Sequence, residues 1–289
     1  MSAITVYVPC DSAAISVGAD DVAIRIILEA TAQGKGIVMK RNGSRGMLWL
    51  EPMVEVQVGK QRIAYGPVTP DDVPSLFAAN FLQGGEHVLR VGAPEEHPYL
   101  KNQERLTFER VGITEPTSID DYLEHHGYRG LHNAIKMATT EVVKAVTDSG
   151  LRGRGGAAFP TGIKWKTVHD QVADQKYVVC NADEGDSGTF SDRMIMEDDP
   201  YVLIEGMTIA GIACGATHGY IYLRSEYPYA HVALNRAIEV ARQRGYLGLN
   251  VMGSGKAFEL EVRMGAGAYI CGEETALLES IEGKRGMVR

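Results

Sequence analysis

Apolar and polar positions alternate over residues 4–8, ITVYV, a β-branched run that predicts a strand. In ADDVAIRIILEATAQGKG, Val22, Ile26 and Ala30 share one helical face, and Gly34 supplies a stop. IVMK (37–40) reads as a second strand, and MVEVQVGKQRIAYG (53–66) as two strands around Gly59-Lys60. TPDDVPSLFAANF begins with Thr69 as N-cap, Pro70 at the first helical position and two acids in the first turn. Residues 83–117 are polar and broken by Gly and Pro, a connector pattern. One helix is then expected from Ser118 and another over 139–150, stopped by Gly150. Beyond them strands at 176–182, 219–224 and 258–264 alternate with helices at 200–216, 230–245 and 272–283.

The β-α-β-β-β-α order at the start predicts a small thioredoxin-like domain over residues 1–82. The later alternation predicts a Rossmann-like α/β domain over residues 118–289, with a parallel sheet. Composition adds limits rather than direction. The chain has 289 residues, 45% hydrophobic and 23% charged, with a formal net charge of -8, so it can bury a sizeable core and lacks the basic balance of a nucleic-acid binder. Its four cysteines include no C-x-x-C pair; no metal site is expected, and they read as reduced thiols of a cytoplasmic protein. No signal peptide is read at the start, and the longest apolar stretch, 206–217, is too short for a bilayer, so no membrane insertion is expected.

Chemistry is sought in three loops, because ligands of open α/β sheets sit beyond the carboxyl ends of the strands. GLRGRGGAAFPTGIKWK (150–166) contains Gly153-x-Gly155-x-x-Ala158, nominally a dinucleotide fingerprint. Its context fails, since a helix precedes it and Pro160 interrupts the segment after it. It reads either as a plain Gly-rich turn or as a cradle in which bare N–H groups, with Arg152, Arg154 and Lys164, meet a phosphate or flat ring. In CNADEGDSGTFSDR (180–193), Asp183 and Glu184 are either turn and capping acids or acceptors for ribose hydroxyls and ring N–H groups. In MGAGAYICGEETALLES (264–280), Glu273 and Glu274 either complement a helix dipole or join Tyr269 and the bare Gly272 backbone at a ligand. Together the loops suit a nucleotide-type cofactor. Acids near a ribose favour NAD over its 2′-phosphorylated form. No Ser-His-Asp arrangement, metal-ligand spacing or Walker loop competes.

Three stretches, GLRGRGGAAFPTGIKW, VVCNADEGDSGTFSDR and GAGAYICGEETALLESIEGKR, closely resemble the NADH-binding flavoprotein subunits of respiratory complex I. They also resemble its relatives, the diaphorase subunits of NAD-reducing hydrogenases and of soluble molybdenum formate dehydrogenases. The likeness runs from about residue 90 to the end, and the wording DEGDSGTFSDR is most like the formate dehydrogenase β subunit. It implies FMN and NAD as cofactors, hydride transfer between them, and exchange of single electrons with iron–sulfur clusters, with the flavin carrying the chemistry and no side chain needed as a catalytic acid or base. Gly153, Gly155 and Gly156, with the neighbouring Arg154, would approach the flavin. Lys164, Asn181, Asp183, Gly272 and Glu273 would hold its phosphate, ribityl or ring groups. Phe159 would stack on the adenine of the nicotinamide nucleotide and Glu274 would face the NAD. Asp186 stands beside the nicotinamide pocket where many relatives have Glu, and Ala158 where many have Gly.

The implied partners are a molybdenum-containing catalytic subunit and a small [2Fe-2S] thioredoxin-like subunit. In the latter, cysteine pairs hold the cluster; here Arg41 and Arg45 occupy what look like the equivalent places, so residues 1–82 are expected to be structural or interfacial, without cluster ligands. The family continues past EGKRGMVR with an Asn pair on the flavin, a ubiquitin-like domain and a [4Fe-4S] domain whose four cysteine ligands are absent from these residues. The chain is therefore expected to be a fragment. It is either an active diaphorase module or a non-catalytic partner scaffold.

Overall fold

A computed structural model describes residues 3–289, which divide into two units, the first running to Ser118 and including Glu197–Asp199, the second Ile119–Met196 with Pro200–Arg289. In the first unit β1 (Ile4–Tyr7) leads into helices α1 (Ser12–Ser16) and α2 (Ala19–Ala32) and returns as β2 (Ile37–Lys40), parallel to β1. β3 (Val54–Val58) and β4 (Gln61–Tyr65) form a hairpin whose turn is made by Gly59, at φ +60°. Helix α3 (Val73–Ala78) follows, then the edge strand β5 (Arg90–Gly92) and helix α4 (Pro98–Lys101). The sheet order is β2-β1-β3-β4-β5, with every pair but β1–β2 antiparallel. The β-α-β-β-β-α order expected of a thioredoxin-like domain is thus present, and the α2 face of Val22, Ile26 and Ala30 packs into the core with Val6, Val56 and Phe77. Thr69 stands at the N-cap as expected, with its N–H and hydroxyl both donating to Asp72 Oδ2, but the segment opens a single 3-10 turn, Pro70–Asp72, before α3 begins. Pro74 lacks the N–H that a continuous helix would need, which accounts for the break. Residues 83–117, expected as a connector, lie within the first unit and contribute β5 and α4 to it.

Arg41 and Arg45 are bonded into this unit. Arg41 donates to the Val8 and Pro9 carbonyls at 3.0 and 2.8 Å. Arg45, 3% exposed, makes a two-pronged ion pair with the fully buried Glu55 at 2.8 Å on both sides.

The second unit begins with helices α5 (Ile119–Glu124), α6 (Arg129–Ala134), α7 (Thr139–Asp148) and α8 (Thr161–Asp170). Strand β6 (Tyr177–Ala182) is followed by α9 (Ser191–Asp198) and α10 (Pro200–Cys214), β7 (His218–Leu223) by α11 (Pro228–Gln243), and β8 (Glu259–Met264) by α12 (Glu274–Ile281). The three strands are parallel, as the alternating pattern predicts, in the order β6-β7-β8. That order never reverses, so the described sheet has no switch point and its loops must build any cleft themselves. The apolar helix α10 packs on the sheet through bare backbone: a Cβ at Gly211 would lie 2.2 Å from the Phe258 ring. Glu205, on α10, is buried yet satisfied, accepting from Tyr122 Oη at 2.5 Å and from the backbone N–H groups of Tyr128 and Leu131 at 2.7 and 2.9 Å. Among the described residues, no helix is long and apolar enough to cross a membrane.

Candidate functional site

Beyond the carboxyl ends of β6 and β8 the second unit has a cleft of about 770 Å³. That lies within the range of small-molecule sites, roughly 300–1,000 Å³. All three loops singled out in the sequence reach it. The Gly-rich loop supplies Arg154, Gly155 and Gly156; the β6 loop supplies Asn181, Asp183, Glu184 and Asp186; the β8 loop supplies Tyr269, Gly272 and Glu273. Gly153, Phe159, Lys164 and Glu274 are not on its wall. Gly153 closes the base of the Gly-rich loop, its N–H bonded to the Phe159 carbonyl at 2.9 Å beside an Arg152–Pro160 bridge. Phe159 is half exposed at 49%, and Lys164 stands exposed on α8. Glu274 is exposed in the first turn of α12.

The loop glycines are informative because the chain does not require all of them. Gly156 has φ +94°, which explains its type. Gly155 lies outside the left-handed region, and a Cβ there would meet nothing within 4 Å. Among the described residues none accepts a hydrogen bond from the Gly155 or Gly156 N–H. Bare, undonated amides at a cleft wall are a place for an anion or a flat polar ring.

The β6 loop presents the converse. Asp183 is only 6% exposed, and no donor among the described residues bonds its carboxylate. Burial pushes its pKa up, against the pull of the Arg224 guanidinium, with Glu226 adding to the rise. Gly185 and Gly272 leave room around it: a Cβ at either would stand 3.0 or 3.3 Å from Asp183 Oδ2. Asn181 ties the β6 loop to the β8 loop, its Nδ2 donating to the Gly272 carbonyl at 2.8 Å. Tyr269 makes a second tie, donating from its hydroxyl to Asp186 Oδ1 at 2.7 Å, and that carboxylate holds the phenol above its usual range. A Cβ on Gly185 would come within 2.9 Å of the Tyr269 ring, so the ring lies directly on the Gly185 backbone.

Two acids on the wall are occupied within the chain. Glu184 Oε1 accepts from the Asp192 N–H at 2.7 Å and Oε2 from the Arg193 N–H at 3.0 Å, covering the start of α9. Its backbone has φ +39°, a conformation that costs a side-chain-bearing residue about 1–2 kcal/mol. Glu273 is the N-cap of α12, with Oε2 accepting from the Thr275 and Ala276 N–H groups at 3.0 and 2.8 Å. Those bonds, with the one from the Thr275 hydroxyl, hold its carboxyl below the usual range. For both acids the capping alternative describes how the carboxylate is held, while the backbone still lines the cleft.

Sequence reading missed the inner wall, where α9 and α10 contribute Asp192, Ile195, Met196 and Leu203 beside Cys180. The signal was Ser191-Asp192 ahead of Met194, Ile195 and Met196, a capping pair before an apolar run. Burial pushes Asp192 above the usual carboxylate range, helped by Glu184, and pushes the Cys180 thiol up to about 12. Cys180 is therefore a neutral wall group rather than a nucleophile. Among the described residues no cluster of His, Cys, Asp and Glu could hold a metal ion.

The cleft, its bare amides and its undonated carboxylate fit a flavin nucleotide, which offers phosphate, hydroxyl and ring N–H groups. Comparison with known proteins agrees. Residues 146–289 match the family model described as the Nuo51 FMN-binding domain. The NADP-reducing hydrogenase subunit HndC of Solidesulfovibrio fructosivorans is 54% identical over 64% of this chain and 38% of that protein. An NADH-quinone oxidoreductase subunit of Aquifex aeolicus is 54% identical over 66% of this chain and 45% of its own length, and its Escherichia coli counterpart 46% identical over 69% and 44%. Among solved structures, the air-oxidized NAD+-reducing [NiFe]-hydrogenase aligns over all of this chain and 47% of its own, at 25% identity and a TM-score of 0.50. The chain spans less than half the length of these relatives. Residues 146–289 belong to the Nuo51 FMN-binding domain family, that of the complex I diaphorase subunits.

Proposed function

We propose that the second unit is the FMN- and NAD(H)-binding part of an NADH:acceptor oxidoreductase, a diaphorase module. When bound, FMN supplies hydride exchange with the nicotinamide and single-electron exchange with iron–sulfur centres. The observation that carries the reading is the pairing of bare amides at Gly155 and Gly156 with the nearly buried, undonated Asp183 on one cleft. Those amides bind phosphate or ring oxygen, and Asp183 accepts from a ribityl hydroxyl or ring N–H. The Asn181 and Tyr269 ties keep the β6 and β8 loops at a fixed separation, so a flat ring system enters a preformed slot. Lys164 adds positive charge from α8, Phe159 stacks on the adenine, and Gly153 closes the base of the Gly-rich loop. Glu274 faces the NAD from the first turn of α12. No side chain transfers a proton; the residues orient and exclude water.

For the donor, we propose a soluble cytoplasmic NAD-dependent formate dehydrogenase, with a molybdenum-containing subunit and a small [2Fe-2S] thioredoxin-like subunit as partners. The DEGDSGTFSDR wording supports this. A second reading, the same module serving a hydrogenase, is favoured by the 54% identity to HndC. An anaerobic absorption spectrum of the chain with FMN, followed by NADH, tests the module: a bound flavin spectrum that bleaches is expected, and absence of bound flavin refutes it. Co-purification of a molybdenum or a nickel–iron subunit decides the donor.

A further inference from the structure

The loop after the middle strand, β7, supplies no residue to the cleft wall, yet it is wired to the loop that does. Arg224 follows β7 directly; its N–H bonds the Ala182 carbonyl at 3.1 Å and its Nη1 donates to the Glu184 carbonyl at 2.6 Å. Tyr227, 7% exposed at the start of α11, donates its hydroxyl to Glu184 Oε2 at 2.9 Å and approaches the Thr189 carbonyl at 3.3 Å. The Tyr227 ring is flanked by the guanidinium groups of Arg193 and Arg224, at 5.7 and 5.5 Å from its centroid. Burial and the bond to the Glu184 carboxylate push the phenol up to about 12, so it stays a donor throughout the neutral range. The remaining Glu184 partners are the Ser191 hydroxyl and the Asp192 and Arg193 N–H groups.

Most of these bonds converge on the residue with the disfavoured backbone. Glu184 at φ +39° turns the chain between Asp183 and Gly185, both of which face the cleft. A carbon-bearing residue stays in that region only where its surroundings over-determine it. We infer that Arg224 and Tyr227 are positioning residues for the flavin site: they hold Glu184 in its turned conformation from behind, and through it they aim Asp183 and the Gly185 backbone. The inference rests on the FMN reading above for its ligand, but the bracket itself is a property of the chain alone.

The test uses the full chain and FMN as probe, in wild type, Tyr227→Phe, Arg224→Lys, Glu184→Gln and the Tyr227→Phe/Glu184→Gln pair. Tyr227→Phe keeps the ring and its two cations and loses only the hydroxyl bonds. Losing them frees the Glu184 carboxylate from behind, and FMN affinity should fall about tenfold, equivalent to about 1.4 kcal/mol. Because Tyr227 acts through Glu184, the double variant should bind no worse than Glu184→Gln alone. Additive losses, or unchanged affinity in Tyr227→Phe, overturn the inference. Amide hydrogen exchange without FMN separates this from failure of the FMN reading. Faster exchange at Asp192 and Arg193 in Tyr227→Phe and Arg224→Lys is expected even if no flavin binds, and unchanged exchange there refutes the bracket.

Discussion

Replacing Gly155 by Ala separates what the chain needs from what its ligand needs. The new Cβ meets nothing within 4 Å, and the backbone at this position is outside the left-handed region. Folding therefore tolerates the change, and loss of unfolded-state freedom should stabilise by about 0.4–1 kcal/mol. For a domain of this size that raises the melting midpoint by about 1–4 °C. Binding should move the other way. A methyl placed between the Gly155 backbone and a ring or phosphate packed on it costs about 1–3 kcal/mol in overlap. That is about 5- to 150-fold in affinity. The assay is a thermal melt without ligand and a flavin-fluorescence titration with it. A variant that binds FMN as tightly as wild type refutes the placement of the cofactor against this loop. A midpoint lowered by several degrees would mean the glycine serves the fold. Gly185→Ala is the contrasting control, because its Cβ would lie 2.9 Å from the Tyr269 ring and 3.0 Å from Asp183 Oδ2, so it should disturb the site without any ligand.

Other outcomes are equally direct. Lys164→Ala should weaken FMN binding, and the loss should shrink as ionic strength rises, since the lysine is exposed and acts as a screened charge; full flavin occupancy at low salt would remove Lys164 from the site. Arg45→Ala leaves the fully buried Glu55 with only the less intimate Arg62 at 3.3 Å, and should destabilise the first unit by about 3–5 kcal/mol in chemical denaturation. Burial pushes Glu51 from the ordinary 4.5 up to about 7. Its protonated form is therefore favoured on folding: the contribution is full below 4.5, declines as pH rises toward about 7, and is constant above. The melting midpoint of the first unit should fall between pH 4.5 and 7, and Glu51→Gln should flatten that fall; an equal fall in the variant would contradict it.

Much of the fold is a local matter, and the chain announces it. Alternation in ITVYV, the hairpin at Gly59-Lys60, and the apolar α10 stretch each satisfy their own backbone hydrogen bonds or bury their own face, so period and turn chemistry suffice to place them. The two loops after β6 and β8 were legible from glycines and acids directly after a strand, and the Gly-rich loop, which follows helix α7, from the density of glycines and cations alone. The helices α8 and α9 were not, because α8 follows Pro160 with only weak periodicity and the short apolar run of α9 is set inside the charged stretch SDRMIMEDD.

Tertiary structure decided the roles. Asp183 and Glu184 are adjacent, chemically alike and both on the cleft wall, yet one is buried without a donor and the other is held by two backbone N–H groups and a tyrosine. No property of either residue distinguishes them in the sequence. The difference arises because β7 delivers Arg224 and Tyr227 beside Glu184, more than forty positions from Asp183 in the chain, where the long-range bonds are worth more than the backbone strain they hold. Sequence by itself determined which residue types meet at this sheet edge; three-dimensional packing determined which of them remain free to meet a ligand.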